Sequence, residues 1–71
     1  MIFSDLFSLV GLALYELHKF EEALPFLENI VDLPEYKNKE YLFKYAKCLD
    51  TVNRIHDAVK ILEECIDLYY N

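Results

Sequence analysis

KFEEALPFLENIVDL, residues 19–33, and RIHDAVKILEECIDL, residues 54–68, decide the fold, because a shift of 35 residues lays one stretch over the other. The shift pairs Ala23 with Ala58, Leu27 with Leu62, Glu28 with Glu63, Asp32 with Asp67 and Leu33 with Leu68. Upstream it pairs Leu14 with Leu49. Character is kept where identity is not: Phe7 meets Leu42, Gly11 meets Ala46, Lys19 meets Arg54, Phe20 meets Ile55, Glu22 meets Asp57 and Val31 meets Ile66. A period of this length marks a repeated supersecondary unit whose apolar face is buried by its neighbour.

Within each unit the apolar residues recur at i, i+3, i+4 and i+7, which predicts helices with one apolar arc each. Phe3, Leu6, Phe7, Val10, Ala13, Leu14 and Leu17 share an arc of the first helix, with Ser4 as candidate N-cap and an end before His18 and Lys19. Phe20, Ala23, Leu24, Leu27, Ile30 and Val31 line the second helix. Leu42, Tyr45, Ala46, Leu49 and Val52 line the third, which should stop near Asn53, a residue that tolerates the left-handed conformation. Ile55, Ala58, Val59, Leu62, Cys65, Ile66 and Tyr69 line the fourth. Pro34 closes the first unit, and Glu35 to Lys39 reads as a polar linker. Pro25 fits if the second helix starts near Glu21 or Glu22, so that its missing N–H falls in the first turn.

Composition agrees. Seventy-one residues make at most one small domain, and a single Gly and two Pro leave too little turn chemistry for an all-β fold. A chain of this size has a narrow stability margin from one core, so help from a partner is expected. The net charge of -6 has the wrong sign for replacing phosphate counterions, which argues against nucleic acid. Cys48 and Cys65 lie in apolar stretches without metal-ligand spacing and read as reduced, buried thiols of a cytoplasmic protein. The apolar start, from Met1 to Leu17, carries acidic Asp5, no basic segment and no small-x-small site, and its unbroken run is too short to span a bilayer. Neither export nor membrane insertion is expected.

Paired helices, a unit near 34 residues and a small residue at fixed phase in each helix form a pattern that resembles the tetratricopeptide repeat family. The residues that carry the resemblance are Phe7, Val10-Gly11, Leu14, Ala23, Leu27 and Pro34 in the first unit. In the second they are Leu42, Tyr45-Ala46, Leu49, Ala58, Leu62 and Tyr70. Lys19-Phe20-Glu21-Glu22-Ala23-Leu24 is the closest local match, whereas neither unit has the family's Trp and the second lacks both its Gly and its closing Pro. The resemblance implies an all-α domain over residues 1–71, two antiparallel hairpins stacked as a short α-solenoid, with repeats at about 4–37 and 39–71. Gly11 and Ala46 on one side, and Ala23 and Ala58 on the other, would let the helices of each hairpin approach closely.

In such folds the first helices of successive units line a groove, and its candidate residues here are Asp5, Ser8, Leu12 and Tyr15 with Glu40, Phe43, Lys47 and Asp50. Leu12, Tyr15 and Phe43 are apolar where water alone would favour polar groups, so a covered surface is expected. The candidate partner-binding set is Ser8, Leu12, Tyr15, Phe43, Lys47 and Asp50. The family's carboxylate clamp needs Lys and Asn where Ser8 and Leu12 stand, so that ligand class is not implied.

No catalysis, cofactor or metal is expected. His18 and His56 fall at turns outside any ligand spacing, and Glu21-Glu22 and Glu63-Glu64 diverge around their helices. The expected function is a scaffold or adaptor that binds a peptide or partner helix. The alternative is a self-associating helical oligomer, or part of a longer array whose exposed faces are covered by its own copies or by further repeats. A homodimer is the second partner expectation, because repeat arrays generally need about three units and polar caps.

Overall fold

In the computed structural model, which describes the backbone of residues 2–70 and the side chains of residues 3–68, the chain is all-α. Helix α1 spans Ile2–Glu16 and α2 spans Phe20–Glu28. A 3-10 turn, Pro34–Tyr36, leads to α3 at Lys39–Thr51 and α4 at Ile55–Tyr70. Helix α1 packs on α2, α3 on α4, and α2 lies against α3, so the two hairpins meet along one side. Tyr69 and Tyr70 lie outside the described side chains, as Met1 and Asn71 lie outside the described residues.

The 35-residue shift holds at the level of the backbone. Each hairpin turns on one left-handed residue, His18 at φ 62° and Asn53 at φ 67°. Lys19 donates its N–H to Leu14 O at 2.9 Å, as Arg54 donates to Leu49 O at 2.8 Å, which closes each first helix by the same device. Ala23 and Ala58 then donate to Lys19 O and Arg54 O at 2.9 and 3.0 Å, opening each second helix. The charged side chains match too: Lys19 pairs with Glu22 at 3.9 Å, and Arg54 with Asp57 at 3.0 Å.

The core sits where the hairpins meet. Ala23, Leu27, Ile30, Leu42, Cys48 and Leu49 are essentially inaccessible, with Leu24, Val31, Tyr45 and Ala58 nearly so. Gly11 is buried against α2: a Cβ there would stand 3.1 Å from Leu27 Cδ2 and 3.3 Å from Phe26 Cβ, so the helices approach as closely as a bare backbone allows. Phe26 also packs edge-on against Phe7, with ring centroids 5.7 Å apart.

Several expectations are corrected. Helix α1 starts by Ile2, so Ser4 lies within it rather than capping it. Helix α2 starts at Phe20, so Pro25 is past the first turn, on an exposed side, and the helix ends at Glu28, where the Asn29 side chain donates to Pro25 O at 2.8 Å. Ile30 and Val31 therefore lie in the following turn, although both are core residues. The linker is packed rather than free. Tyr36 is half-buried edge-on to Tyr41 and donates to Asp5 at 2.8 Å, Lys37 pairs with Glu64 at 2.9 Å, and Asn38 caps α3 by accepting from the Tyr41 N–H.

The apolar arcs of α1 and α4 exist, but each is only half covered. On α1, Phe7 and Leu14 reach the core, whereas Phe3, Leu6, Val10 and Leu17 stay exposed. On α4, Ala58, Ile61 and Cys65 pack inward, whereas Ile55, Val59, Leu62 and Ile66 do not. Periodicity reports that an arc is apolar, and the number of neighbours decides how much of it is buried.

Candidate functional site

Two clefts related by the repeat sit between the helices of each hairpin. The first, between α1 and α2, is filled from the side by α3. Ser8 on its floor is buried and shares a 2.9 Å hydrogen bond with the Tyr41 hydroxyl. Tyr15 packs edge-on against Phe20 at 5.2 Å and carries the Lys44 ammonium 5.5 Å from its ring centre. Burial, followed by the nearby Cys48, raises the Tyr15 hydroxyl pKa against the opposing pull of Lys44. Ser8 is thus interior rather than a groove residue, and Tyr15 is part of the packing around the core.

A polar clasp closes the same junction. Tyr45 and the Arg54 Nη1 both donate to Glu28 Oε2 at 3.3 Å, and Arg54 also holds Asp57. Burial and the Glu28 carboxylate push the Tyr45 hydroxyl up to about 12, and burial pushes the Cys48 thiol up to about 11. Such a thiol stays protonated and unreactive at neutral pH.

The second cleft, between α3 and α4, is open. Its volume is about 260 Å³, and it is lined by Phe43, Ala46, Lys47, Asp50, Ile55, Ala58, Val59 and Leu62. These are the counterparts, at a shift of 35, of Ser8, Gly11, Leu12, Tyr15, Phe20, Ala23, Leu24 and Leu27. Phe43 is 56% exposed at the rim, where Lys47 and Asp50 are also exposed. Three of the six expected partner-binding residues, Phe43, Lys47 and Asp50, therefore share one cleft. Ser8 and Tyr15 belong to the filled one, and Leu12 is half-buried on the same helix.

The site residues that sequence reasoning did not single out are Ile55, Val59 and Leu62, which the apolar spacing places on the packing arc of the fourth helix and which form the far wall of the cleft. A signal for them existed, since an apolar arc on α4 wider than α3 alone can cover leaves one side of that helix uncovered. A separate shallow depression by the first turn is lined by His18, Lys19, Phe20, Glu21, Glu22 and Thr51 and mixes both charges. No group of His, Cys, Asp and Glu able to hold a metal ion occurs among the described residues. No helix among them is long and apolar enough to cross a membrane. Comparison with protein-family models, with curated proteins and with solved structures finds no match for this chain.

Proposed function

We propose that the chain is a non-catalytic protein-protein interaction module of tetratricopeptide-like build, which takes the apolar face of a partner helix into the α3–α4 cleft. The observation that supports this most is that cleft: an open apolar trough whose internal counterpart is occupied by a helix of the same chain. Phe43 offers a large, two-torsion anchor at the rim, the kind of side chain that concentrates binding energy at interfaces. Lys47 and Asp50 beside it would orient the partner rather than hold it. The reading includes a reducing, cytoplasmic setting, supported by the two unpaired thiols. It excludes nucleic acid, supported by the net charge of -6, and excludes a membrane partner.

The test is a capture experiment with the folded chain as bait and Val59→Glu as parallel bait. A bound species, another protein or the chain itself, should be retained by the unaltered bait and lost with Val59→Glu, while circular dichroism of the two baits is the same. Equal retention by both baits, or no retained species with either, would remove the reading.

A further inference from the structure

We infer that the occupant of the α3–α4 cleft is the α1 face of a second copy of this chain, docked head to tail as α3 is docked in the α1–α2 cleft. The inference rests on the interaction-module reading and names its partner. Its ground is that the plug of the filled cleft has a counterpart which no other element covers among the described residues. The α3 residues turned toward the first hairpin include Tyr41, Tyr45, Cys48 and Val52, all buried or half-buried. Thirty-five residues earlier stand Leu6, Val10, Ala13 and Leu17, apolar at every position and exposed at every one, Leu17 by 66%. Socket and plug thus recur together, and each is bare.

The pairs across the internal junction also translate into acceptable pairs between copies. Ser8 against Tyr41, small against large, becomes Phe43 against Leu6, large against smaller, so the volume is exchanged rather than doubled. Arg54 against Glu28, 3.3 Å apart, becomes Lys19 of one copy against Glu63 of the other, and the signs remain complementary. Lys19 keeps the same turn geometry and the same i,i+3 acid as Arg54, so its ammonium emerges in the corresponding direction. Tyr15 with Lys44 becomes Asp50 with Leu9, which carries no attraction. Because socket and plug are different surfaces, the contact is heterologous and either propagates or closes into a ring.

Sedimentation of the whole chain across a concentration series, with one variant blocking each surface, tests this. Val10→Glu alters the plug and Val59→Glu the socket, both at positions 40% or more exposed, and circular dichroism checks that each variant folds. The unaltered chain should grow beyond the 8.5 kDa monomer with concentration, and each variant alone should remain a monomer. An equimolar mixture should give a discrete species of twice the monomer mass, because one variant keeps its socket and the other its plug. Adding Lys19→Glu to the Val59→Glu partner should weaken the mixed dimer about threefold to fivefold, and Glu63→Lys in the Val10→Glu partner should restore it. A variant that still associates alone, or a mixture that stays monomeric, would overturn the proposal. An unaltered chain that stays monomeric while the capture experiment retains another protein would also overturn it, yet leave the interaction-module reading standing. If nothing is retained either, both fall.

Discussion

The two inter-helical clefts of this molecule are built from the same pattern and end in opposite states. Leu27 in the filled cleft is inaccessible, whereas Leu62 in the open one is 38% exposed. Leu24 and Val31 are buried where Val59 and Ile66 are about half exposed. Apolar residues at these equivalent α2 and α4 positions thus build the core at one end of the chain and leave an available surface at the other. The difference is that α3 packs over the first cleft, whereas no element among the described residues packs over the second.

Removing the same leucine from both clefts measures this contrast and has the largest expected effect. Leu27→Ala should cost about 2–5 kcal/mol, since it opens a cavity in a fully packed site. Leu62→Ala should cost less than about 1 kcal/mol in dilute solution, because water already reaches the side chain. Urea denaturation gives both values. Comparable losses would mean that the open cleft is covered in the dissolved protein, and a Leu62→Ala loss that grows with protein concentration would identify the cover as another copy.

Alkaline pH separates the clefts next, because α3 brings the buried titratable groups Cys48 and Tyr45 to the filled junction. Burial favours the neutral forms of Cys48 and Tyr45, whose pKa values rise to about 11 and about 12 from ordinary values of 9.0 and 10.0. The unfolded chain therefore releases these protons first, and each group's stabilisation is complete below its ordinary value and lost as pH rises toward its raised one. Stability should fall between pH 9 and 11 through Cys48 and between pH 10 and 12 through Tyr45, each on the order of 2 kcal/mol. Cys48→Ala should remove the first part of the decline, as followed by thermal melts across that range. An unchanged profile would mean that the thiol is reached by water.

The smallest expected effect compares the two turns. Asn tolerates the left-handed conformation that both turns need, whereas His adopts it at greater strain. His18→Gly should therefore stabilise the chain by about 0.5 kcal/mol, reduced by the loss of the His18 ring packed at a tilt 5.5 Å from Phe20, and Asn53→Gly should change it less. The reverse order, read from melting midpoints, would place the strain in the second turn.

Much of the fold was legible because the period constrains both units at once. The left-handed Asn53 followed from residue type and position, and the burial of Ala23 and Ala58 agrees with the close packing that the family resemblance implied. Helix phase was less legible on α1. Ser8 looked like a surface residue because a hydroxyl beside an apolar arc ordinarily faces water, and it lies inside because Tyr41, 33 residues away, supplies a partner that no local pattern reveals. The site was legible by halves: Phe43, Lys47 and Asp50 stood out as residues off the packing arc, whereas Ile55, Val59 and Leu62 were hidden among residues that looked interior.

By itself the sequence determined the all-α class, the two units and the chemistry of every helix face, since apolar spacing, turn residues and small residues act over a few neighbours. Tertiary structure alone decided which half of each apolar arc is covered, that Ser8 and Tyr15 are packing residues, and that the open trough lies between α3 and α4. Those outcomes depend on which helix arrives from another part of the chain, and burial is a property of that arrival rather than of the residue.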